Sequence, residues 1–350
     1  MAIYCILFLL IIVMMGKESV ANSKRFALIS FICIWVIMAF RDYSVGTDTI
    51  GYIDEYVGGL SALRMTDMGF TAYTMFLSSL NLPPRAFLAI SSAIIVVPIY
   101  LYVQKFSTSK SFTTLLYLTI GTFSMHMTGI RQSMAMGIAL LGCLISMKIH
   151  RKYLRFVPLL ILVYISSTVH GTAFICYLYP LFILFSDKEF AINKKIAVLL
   201  LSAPIFAILF NSYFSSIVNY FMLSKYEDYE LGAANVNIIA YFVIPYFIFW
   251  YLTWLGKKQG LNTPIERFEY LCAFAYVLCA ASSSYMPILN RMSFYFSLPI
   301  LSLVAKLTVG LKREEKQLII PILVTICITY FLMSSYGGTL RIDNYKFSLS

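Results

Sequence analysis

The stretch FSMHMTGIRQSMA, residues 123–135, lies between two apolar segments of the chain. These segments, residues 112–124 and 133–147, are each long enough to make up most of a membrane crossing. Arg131 and Gln132 therefore fall at the mouth of a membrane helix, where such polar side chains are costly unless a function uses them.

The residues just before Arg131 are typical of a helix entrance. Thr128 can cap a helix, and Gly129 allows a tight approach of the backbone. The N–H groups of the following turn then face whatever Arg131 faces, and a helix N-terminus beside a guanidinium is a phosphate-binding arrangement. The alternative is an interfacial anchor whose side chain snorkels to the lipid headgroups.

The composition of the chain is that of a membrane protein. Of the 350 residues, 60% are hydrophobic and only 12% are charged, and apolar runs of spanning length recur from end to end. We therefore expect an all-α, polytopic integral membrane protein in which residues 1–350 form a single transmembrane domain, with no soluble domain. The net charge of +11 has to be interpreted by side of the membrane, and no nucleic-acid partner is expected.

Apolar segments predict about twelve membrane-spanning helices. A further apolar piece, residues 68–82, is short and is followed by Pro83 and Pro84, and we predict that it is re-entrant or interfacial. The predicted spans are residues 2–15, 26–40, 86–103, 112–126, 131–148, 154–169, 172–186, 195–211, 237–255, 267–286, 289–306 and 317–336.

Positive charge assigns the two sides of the membrane. If residues 68–82 do not cross, one side receives 19 of the 27 lysines and arginines, so that this side is cytoplasmic and both termini lie outside. If residues 68–82 do cross, the first two loops invert and the bias weakens. In the first case the basic residues of the outer face are Arg41, Arg64, Arg85, Arg131, Lys225, Arg291, Arg341 and Lys346.

The outer face is rich in arginine, whereas the basic residues inside are mostly lysine. Membrane topology requires only positive charge, but planar, two-pronged recognition of phosphate favours arginine. Arg41, Arg131 and Arg291 fall at one predicted depth, at the outer ends of apolar helices. Together with Gln132 they are predicted to bind a diphosphate. Any one of these arginines alone is more often a snorkelling anchor.

Candidate proton-transfer groups fall on the same face. His170 lies in a turn between two spans, and histidine is the side chain best suited to move a proton near neutral pH. Asp48, in the outer loop that follows Arg41, is a second candidate base. For His126, which precedes Arg131 by about one helical turn, we favour a structural hydrogen-bonding role.

Three outer loops, the last of them residues 336–350, combine aromatic with acidic residues, which suits sugar binding through ring stacking and through acceptors for hydroxyl groups. Tyr52 and Asp54 lie in the first loop, and Tyr226 lies in the loop of residues 212–236. These three are candidate sugar contacts. The alternative for the tyrosines is the aromatic belt that borders any bilayer.

No cofactor and no metal ion are expected. The seven cysteines all fall inside apolar segments, away from any ligand spacing in a loop, which argues against a disulfide framework and a zinc site. The sequence has no Gly-rich phosphate loop and no nucleophile elbow. The first residues carry no positive charge, so we expect the first span to be retained in the mature protein.

Four motifs, in this order, resemble the EpsG family of Wzy-like polysaccharide polymerases. They are Arg41 with V-G-T-D at 45–48 and Tyr52, then T-G-I-R-Q at 128–132, V-H at 169–170 with Ala173, and Asn290 with Arg291. The resemblance covers about residues 40–300. One departure is D-M-G-F at 67–70, where the family often has an acidic residue followed by Pro-Gly and an aromatic residue, so the resemblance gives Asp67 no role.

The resemblance implies a bacterial inner-membrane enzyme of GT-C-like architecture with its active face toward the periplasm. Its substrates would be oligosaccharide repeats linked to undecaprenyl diphosphate in the lipid bilayer, and a chain-length regulator protein is a candidate partner. A growing chain would pass from its lipid diphosphate onto the sugar of another lipid-linked repeat, in the synthesis of O-antigen, capsule or exopolysaccharide.

The candidate residues suit this chemistry. A diphosphate leaving group needs cations that stabilise the departing charge, and the acceptor hydroxyl needs a base. In this hypothesis Arg131, Arg291 and Arg41 hold the diphosphate, and either His170 or Asp48 is the base.

Two other classes of membrane protein share these features. A flippase for lipid-linked oligosaccharides would also be a basic bundle of many helices, but it should carry charges at mid-bilayer and show related halves. A ligase or an acyltransferase that acts on the same lipid carrier has the same overall architecture. The motifs at 45–48 and 128–132 favour the polymerase.

Overall fold

The structure is a computed structural model that describes residues 1–59, 67–151, 153–188, 244–283, 287–338 and 340–348. Every element of regular structure in these residues is a helix, so the predicted all-α class is confirmed for this part of the chain. The predicted span 195–211 and the loop 212–236, which contains Tyr226, lie outside the described residues.

The described residues form α-helices and 3₁₀ helices in the following chain order. Two short 3₁₀ helices, Gly171–Tyr177 and Phe294–Phe296, precede α10 and α14. The α-helices are α1 (Ala2–Lys17), α2 (Ser23–Ala39), α3 (Thr49–Gly58), α4 (Met68–Ser79), α5 (Pro84–Phe106), α6 (Lys110–Thr119), α7 (Thr122–Thr128), α8 (Ile130–Ser146), α9 (Phe156–Val169), α10 (Leu178–Ser186), α11 (Ile244–Gln259), α12 (Pro264–Ser282), α13 (Pro287–Ser293), α14 (Ser297–Val309) and α15 (Arg313–Ser335).

Three helical stretches in the described residues are long and apolar enough to cross a membrane, by length and composition. They correspond to the predicted spans 86–103, 289–306 and 317–336, and their bounds are Pro84–Phe106, Ile288–Val309 and Arg313–Ser335. Four shorter apolar helices, Ala2–Lys17, Ile130–Ser146, Phe156–Val169 and Gly171–Ser186, correspond to four further predicted spans. The total of twelve spans stays a prediction.

The predicted span 112–126 is interrupted. The structure divides it into α6 and α7, and Gly121 between them has a φ of +80°, in the left-handed region that ends a helix. Apolar periodicity continues through such a break, because one glycine scarcely changes the pattern of the side chains around it. The break turns α7 into a separate short helix that leads directly into Arg131.

The apolar piece 68–82 forms α4, a helix of 12 residues. Such a helix is about 18 Å long, well short of the roughly 30 Å of a bilayer's hydrocarbon core. The length of α4 therefore favours the topology in which residues 68–82 do not cross.

The chain forms two compact units. The first comprises Met1–Phe174 and Thr308–Ser350. Within it α8 packs against both α9 and α5, and α5 packs against α2. At Gly137, a Cβ would collide with the carbonyl oxygen of Ile94 in α5. A small residue at this position therefore lets two membrane helices approach closely.

The second unit comprises Ile175–Leu307. Its helix α12 begins with a capping box, in which Thr263 and Glu266 each bond the other's backbone N–H. One turn further, Glu269 accepts a hydrogen bond from Lys306 at 2.7 Å, and both side chains are buried. Lys306, one of the 19 basic residues that the sequence predicts on the cytoplasmic side, is therefore part of a buried ion pair.

Candidate active site

Arg131 lies in the first turn of α8 and pairs with a carboxylate from another helix. Its Nη1 is 3.3 Å from Oδ2 of Asp67, the residue that precedes α4. The two side chains are 22% and 17% exposed, so both can be reached from solvent. A pair at this exposure contributes at most about 1 kcal/mol to stability. Stability alone therefore does not explain why Arg131 is paired with Asp67, and a role of Arg131 in binding a ligand explains the pair better.

Two aromatic rings lie beside the same guanidinium. The Cζ atom of Arg131 is 5.5 Å from the ring centroid of Tyr52 and 5.8 Å from that of Phe70, within the range of cation–π attraction. Arg131 also donates a side-chain hydrogen bond to Tyr52. Burial raises the pKa of Tyr52, so its hydroxyl stays protonated. Tyr52 is 6% exposed, and its ring contacts Arg131. The sequence predicted that this ring would contact a sugar.

The V-G-T-D loop packs against the end of α7. Gly46 has a φ of +89°, and a Cβ there would collide with the carbonyl oxygen of Met127 and lie 2.7 Å from Oγ1 of Thr49. Thr49 closes the loop by donating its hydroxyl to the carbonyl of Val45 at 2.8 Å. The two motifs that the sequence singled out, at 45–48 and 128–132, are therefore neighbours in space.

Arg41 supports this loop from inside. It is 1% exposed, Nη1 donates to the carbonyl of Met38 at 2.6 Å, and Nη2 donates to Oγ1 of Thr49 at 3.4 Å. A guanidinium so placed binds protein atoms, whereas the sequence predicted that Arg41 would hold a diphosphate. Arg85 contacts the same loop: it donates to the carbonyl of Arg41 at 2.6 Å and lies over the ring of Tyr43.

Residues near the C-terminus hold the loop in place, in what we call the tail (residues 341–348). Phe347 pairs with Arg41 in an isolated antiparallel bridge. The N–H of Asp42 donates to the carbonyl of Lys346 at 2.9 Å, and the N–H of Gly46 donates to the carbonyl of Arg341 at 3.0 Å. The tail and the loop thus share backbone hydrogen bonds at both ends of the loop.

The acidic residues of the loop differ in what they do. Asp42 accepts hydrogen bonds from the hydroxyl and the N–H of Ser44, and these bonds lower the pKa of Asp42. Asp42 therefore stabilises a turn as an anion. Asp48 occupies the N-cap position of α3 without a side-chain capping bond, and it is exposed. Of the two carboxylates, Asp48 is the one available to a substrate.

His170 ends α9 at the same end of the helix pair as Arg131. Helices α8 and α9 are antiparallel, and the Ser166 hydroxyl donates to the carbonyl of Ala135 at 2.7 Å, one turn inside each helix end. The N–H of Thr172 donates to Nδ1 of His170 at 3.3 Å. The Thr172 hydroxyl also lies 3.1 Å from Nδ1, and an Nδ1 that accepts the backbone N–H favours the neutral imidazole tautomer with its proton on Nε2. In this tautomer Nε2 is a hydrogen-bond donor.

The remaining candidates have different surroundings. His126 is buried, with Nδ1 2.8 Å from the hydroxyl of Tyr117. Gln132 is buried in the first turn of α8, next to Arg131. Asp54 is exposed on α3. Arg291 is exposed on α13, in the second compact unit.

Sequence reasoning missed Asp67, Phe70 and Arg85 as parts of this site. Asp67 directly precedes α4 and Phe70 lies in its first turn. The sequence departs from the family pattern here, so only the position of the short apolar segment pointed to these two residues. Arg85 was counted among the outer arginines but was given no role. Among the described residues, no group of three or more His, Cys, Asp or Glu side chains is placed to hold a metal ion.

The regular structure of the described residues is all helical and includes three apolar helices of spanning length, as is typical of helical membrane proteins. The model of the EpsG family matches residues 24–347, nearly the whole chain. This protein therefore belongs to the EpsG family, a family of Wzy-like polymerases, as its motifs predicted. Comparison with curated proteins and with solved structures gave no match.

Proposed function

We propose that this protein is a glycosyltransferase that polymerises lipid-linked oligosaccharide repeats. It transfers a growing glycan from undecaprenyl diphosphate onto the next lipid-linked repeat, at the periplasmic face of the bacterial inner membrane. The observation that carries the proposal is Arg131, a reachable guanidinium at a helix start, beside two aromatic rings and next to the V-G-T-D loop. Family membership supports the same reaction class.

The proposal includes the architecture that the sequence predicted. The chain forms a single transmembrane polymerase domain with about twelve crossings and a GT-C-like arrangement. The bilayer holds both lipid-linked substrates in one plane, which supplies proximity. A chain-length regulator protein is a candidate partner, and the product is an O-antigen, a capsule or an exopolysaccharide.

The reaction breaks the bond between the anomeric carbon of the donor sugar and the diphosphate oxygen, and the electron pair leaves with the diphosphate. Arg131, aided by Gln132, stabilises the departing charge. The acceptor hydroxyl oxygen forms the new bond to the anomeric carbon, and its proton passes to a base. Arg41 keeps the loop in place from inside. The leaving group is already activated, so no nucleotide is needed.

The hydrogen bond from the N–H of Thr172 to Nδ1 of His170 supports different roles for the two candidate bases. With its proton on Nε2, His170 suits a hydrogen bond to the diphosphate, and Asp48 suits the role of base. We therefore expect Asp48→Asn to lower the rate about 100-fold or more, because base catalysis typically contributes 10²–10⁴-fold. Glutamine also carries N–H donors, so we expect His170→Gln to stay within about tenfold of the wild type.

The rates are measured as incorporation of lipid-linked repeats into polymer by purified protein in lipid vesicles. The substrate is the lipid fraction of cells that lack the gene. If His170→Gln is inactive while Asp48→Asn retains the wild-type rate, the two roles are reversed.

The reaction itself is tested by the pattern of surface glycan. Deleting the gene should collapse the ladder of glycan bands on a gel to a single repeat unit on the final acceptor, because repeats are exported but not joined. The wild-type gene should restore the ladder. Loss of all surface glycan, with single repeats held on the cytoplasmic side, would instead identify a flippase. An unchanged ladder would exclude polymerisation by this protein.

A further inference from the structure

The start of α4 is fixed against the end of α9. A Cβ at Gly69 would collide with Oγ1 of Thr168 and lie 2.8 Å from the carbonyl carbon of that residue. Asp67 is two residues before Gly69, and His170 is two residues after Thr168. The backbone of Asp67 is therefore held in a defined place beside the turn that carries His170.

The side chain of Asp67 does not serve its own helix. Asp67 occupies the N-cap position of α4, where a carboxylate usually accepts a hydrogen bond from the first turn, but it makes no such capping bond. Its Oδ2 lies instead 3.3 Å from Nη1 of Arg131, 64 residues away in the sequence. The carboxylate of Asp67 therefore bonds to Arg131 and does not cap α4.

Tyr52 holds the guanidinium from a third helix, α3. It accepts a hydrogen bond from Arg131 and lies 5.5 Å from it, centroid to Cζ. Its ring packs on Phe70 at 5.6 Å in an edge-on contact, and Phe70 in turn packs on Phe87 of α5. The aromatic cluster therefore fixes Tyr52, and Tyr52 and Asp67 together restrict Arg131.

We propose that Asp67 and Tyr52 are positioning residues, which hold the guanidinium of Arg131 in the orientation that receives the lipid-linked diphosphate. This inference rests on the proposed function. The carboxylate of Asp67 would repel a diphosphate, so it acts through Arg131 and not on the substrate directly. A free arginine side chain samples many rotamers, and orienting it beforehand removes much of that entropic cost from the transition state, in which the charge on the diphosphate develops.

Three variants test this inference in the vesicle assay with lipid from cells that lack the gene. Asp67→Asn removes the charge, Asp67→Glu keeps it, and Tyr52→Phe removes only the hydroxyl. We expect Asp67→Asn and Tyr52→Phe each to lower kcat about 10- to 100-fold while KM changes less than about threefold, because a misdirected arginine fails mainly as the leaving charge develops. Asp67→Glu should recover part of the loss.

Two matched controls make the same chemical changes at exposed positions outside the site. Glu314→Gln and Tyr330→Phe should behave like the wild type, since both side chains are exposed on α15. All rates are taken per amount of protein that elutes as a single species after extraction. If Asp67→Asn is poorly recovered, Tyr52→Phe decides the question, because removing one hydroxyl leaves the ring packing in place.

The inference is overturned if the wild-type protein makes polymer and kcat for Asp67→Asn, or for Tyr52→Phe where that variant decides, stays within twofold of the wild type. It is also overturned if the loss appears only as a higher KM, or if Asp67→Glu is as impaired as Asp67→Asn. Failure of the wild-type protein to lengthen the repeats would be a separate result, since it refutes the proposed function itself.

Discussion

Replacing Arg131 with lysine is expected to abolish polymer formation, with a fall in kcat/KM of about 100-fold or more. Lysine keeps the positive charge but has neither the planar fork nor the second prong with which arginine binds a phosphate oxygen pair. It would also lose the simultaneous contacts that Arg131 makes to Asp67, Tyr52 and Phe70. A charge alone therefore should not rescue the reaction.

The control for this prediction is Arg151→Lys, the same change at an exposed arginine outside the site. Both variants are expressed in cells that lack the gene, at matched amounts in the membrane, and the glycan ladder is compared. A full ladder from Arg131→Lys would show that the guanidinium does not bind the diphosphate, and it would remove the residue on which the proposed mechanism depends.

The second large effect is expected at Gly46. Alanine at this position must adopt a φ near the observed +89°, which costs about 1–3 kcal/mol. Its Cβ must in addition displace the carbonyl of Met127. Because Met127 leads into the turn that starts α8, we expect Gly46→Ala to lower the thermal midpoint of the detergent-solubilised protein and to shorten the glycan ladder.

Gly51 provides the comparison for Gly46. A Cβ at Gly51, within α3, meets nothing within 4 Å, and alanine is favoured over glycine inside a helix by about 0.5–1 kcal/mol. Gly51→Ala should therefore leave both the thermal midpoint and the ladder unchanged or slightly improved. Equal behaviour of the two variants would contradict the close packing of the V-G-T-D loop on α7.

The parts of this protein that follow from local sequence were predictable. Gly129 and Arg131 mark a helix entrance in the sequence, and α8 begins at Ile130. The long apolar runs gave helices of nearly the predicted bounds at Pro84–Phe106 and Arg313–Ser335. Helix signals of this kind depend on neighbours three or four residues away, so a single sequence contains them.

The contacts that build the site were not predictable, because they join residues far apart in the chain. Asp67 and Arg131 are 64 residues apart, and neither segment contains a pattern that predicts contact with the other. Arg41 shows the same limit: its position at a helix end placed it on the outer face, but only the packing shows that its guanidinium turns inward to Met38 and Thr49. The family motifs predicted which segments belong to one site, but they did not predict the contacts between the side chains of those segments.

The tail has a consequence for how the protein is made. The hydroxyl of Tyr345 donates to the carbonyl of Ile37, at the end of α2, across 308 residues of sequence. The ribosome therefore releases the V-G-T-D loop long before the tail that bonds to it exists. Nascent chains therefore hold this loop without its backbone partners until residues 341–348 have been synthesised, so the packing around the V-G-T-D loop is completed only after the helices between the loop and the tail have been made.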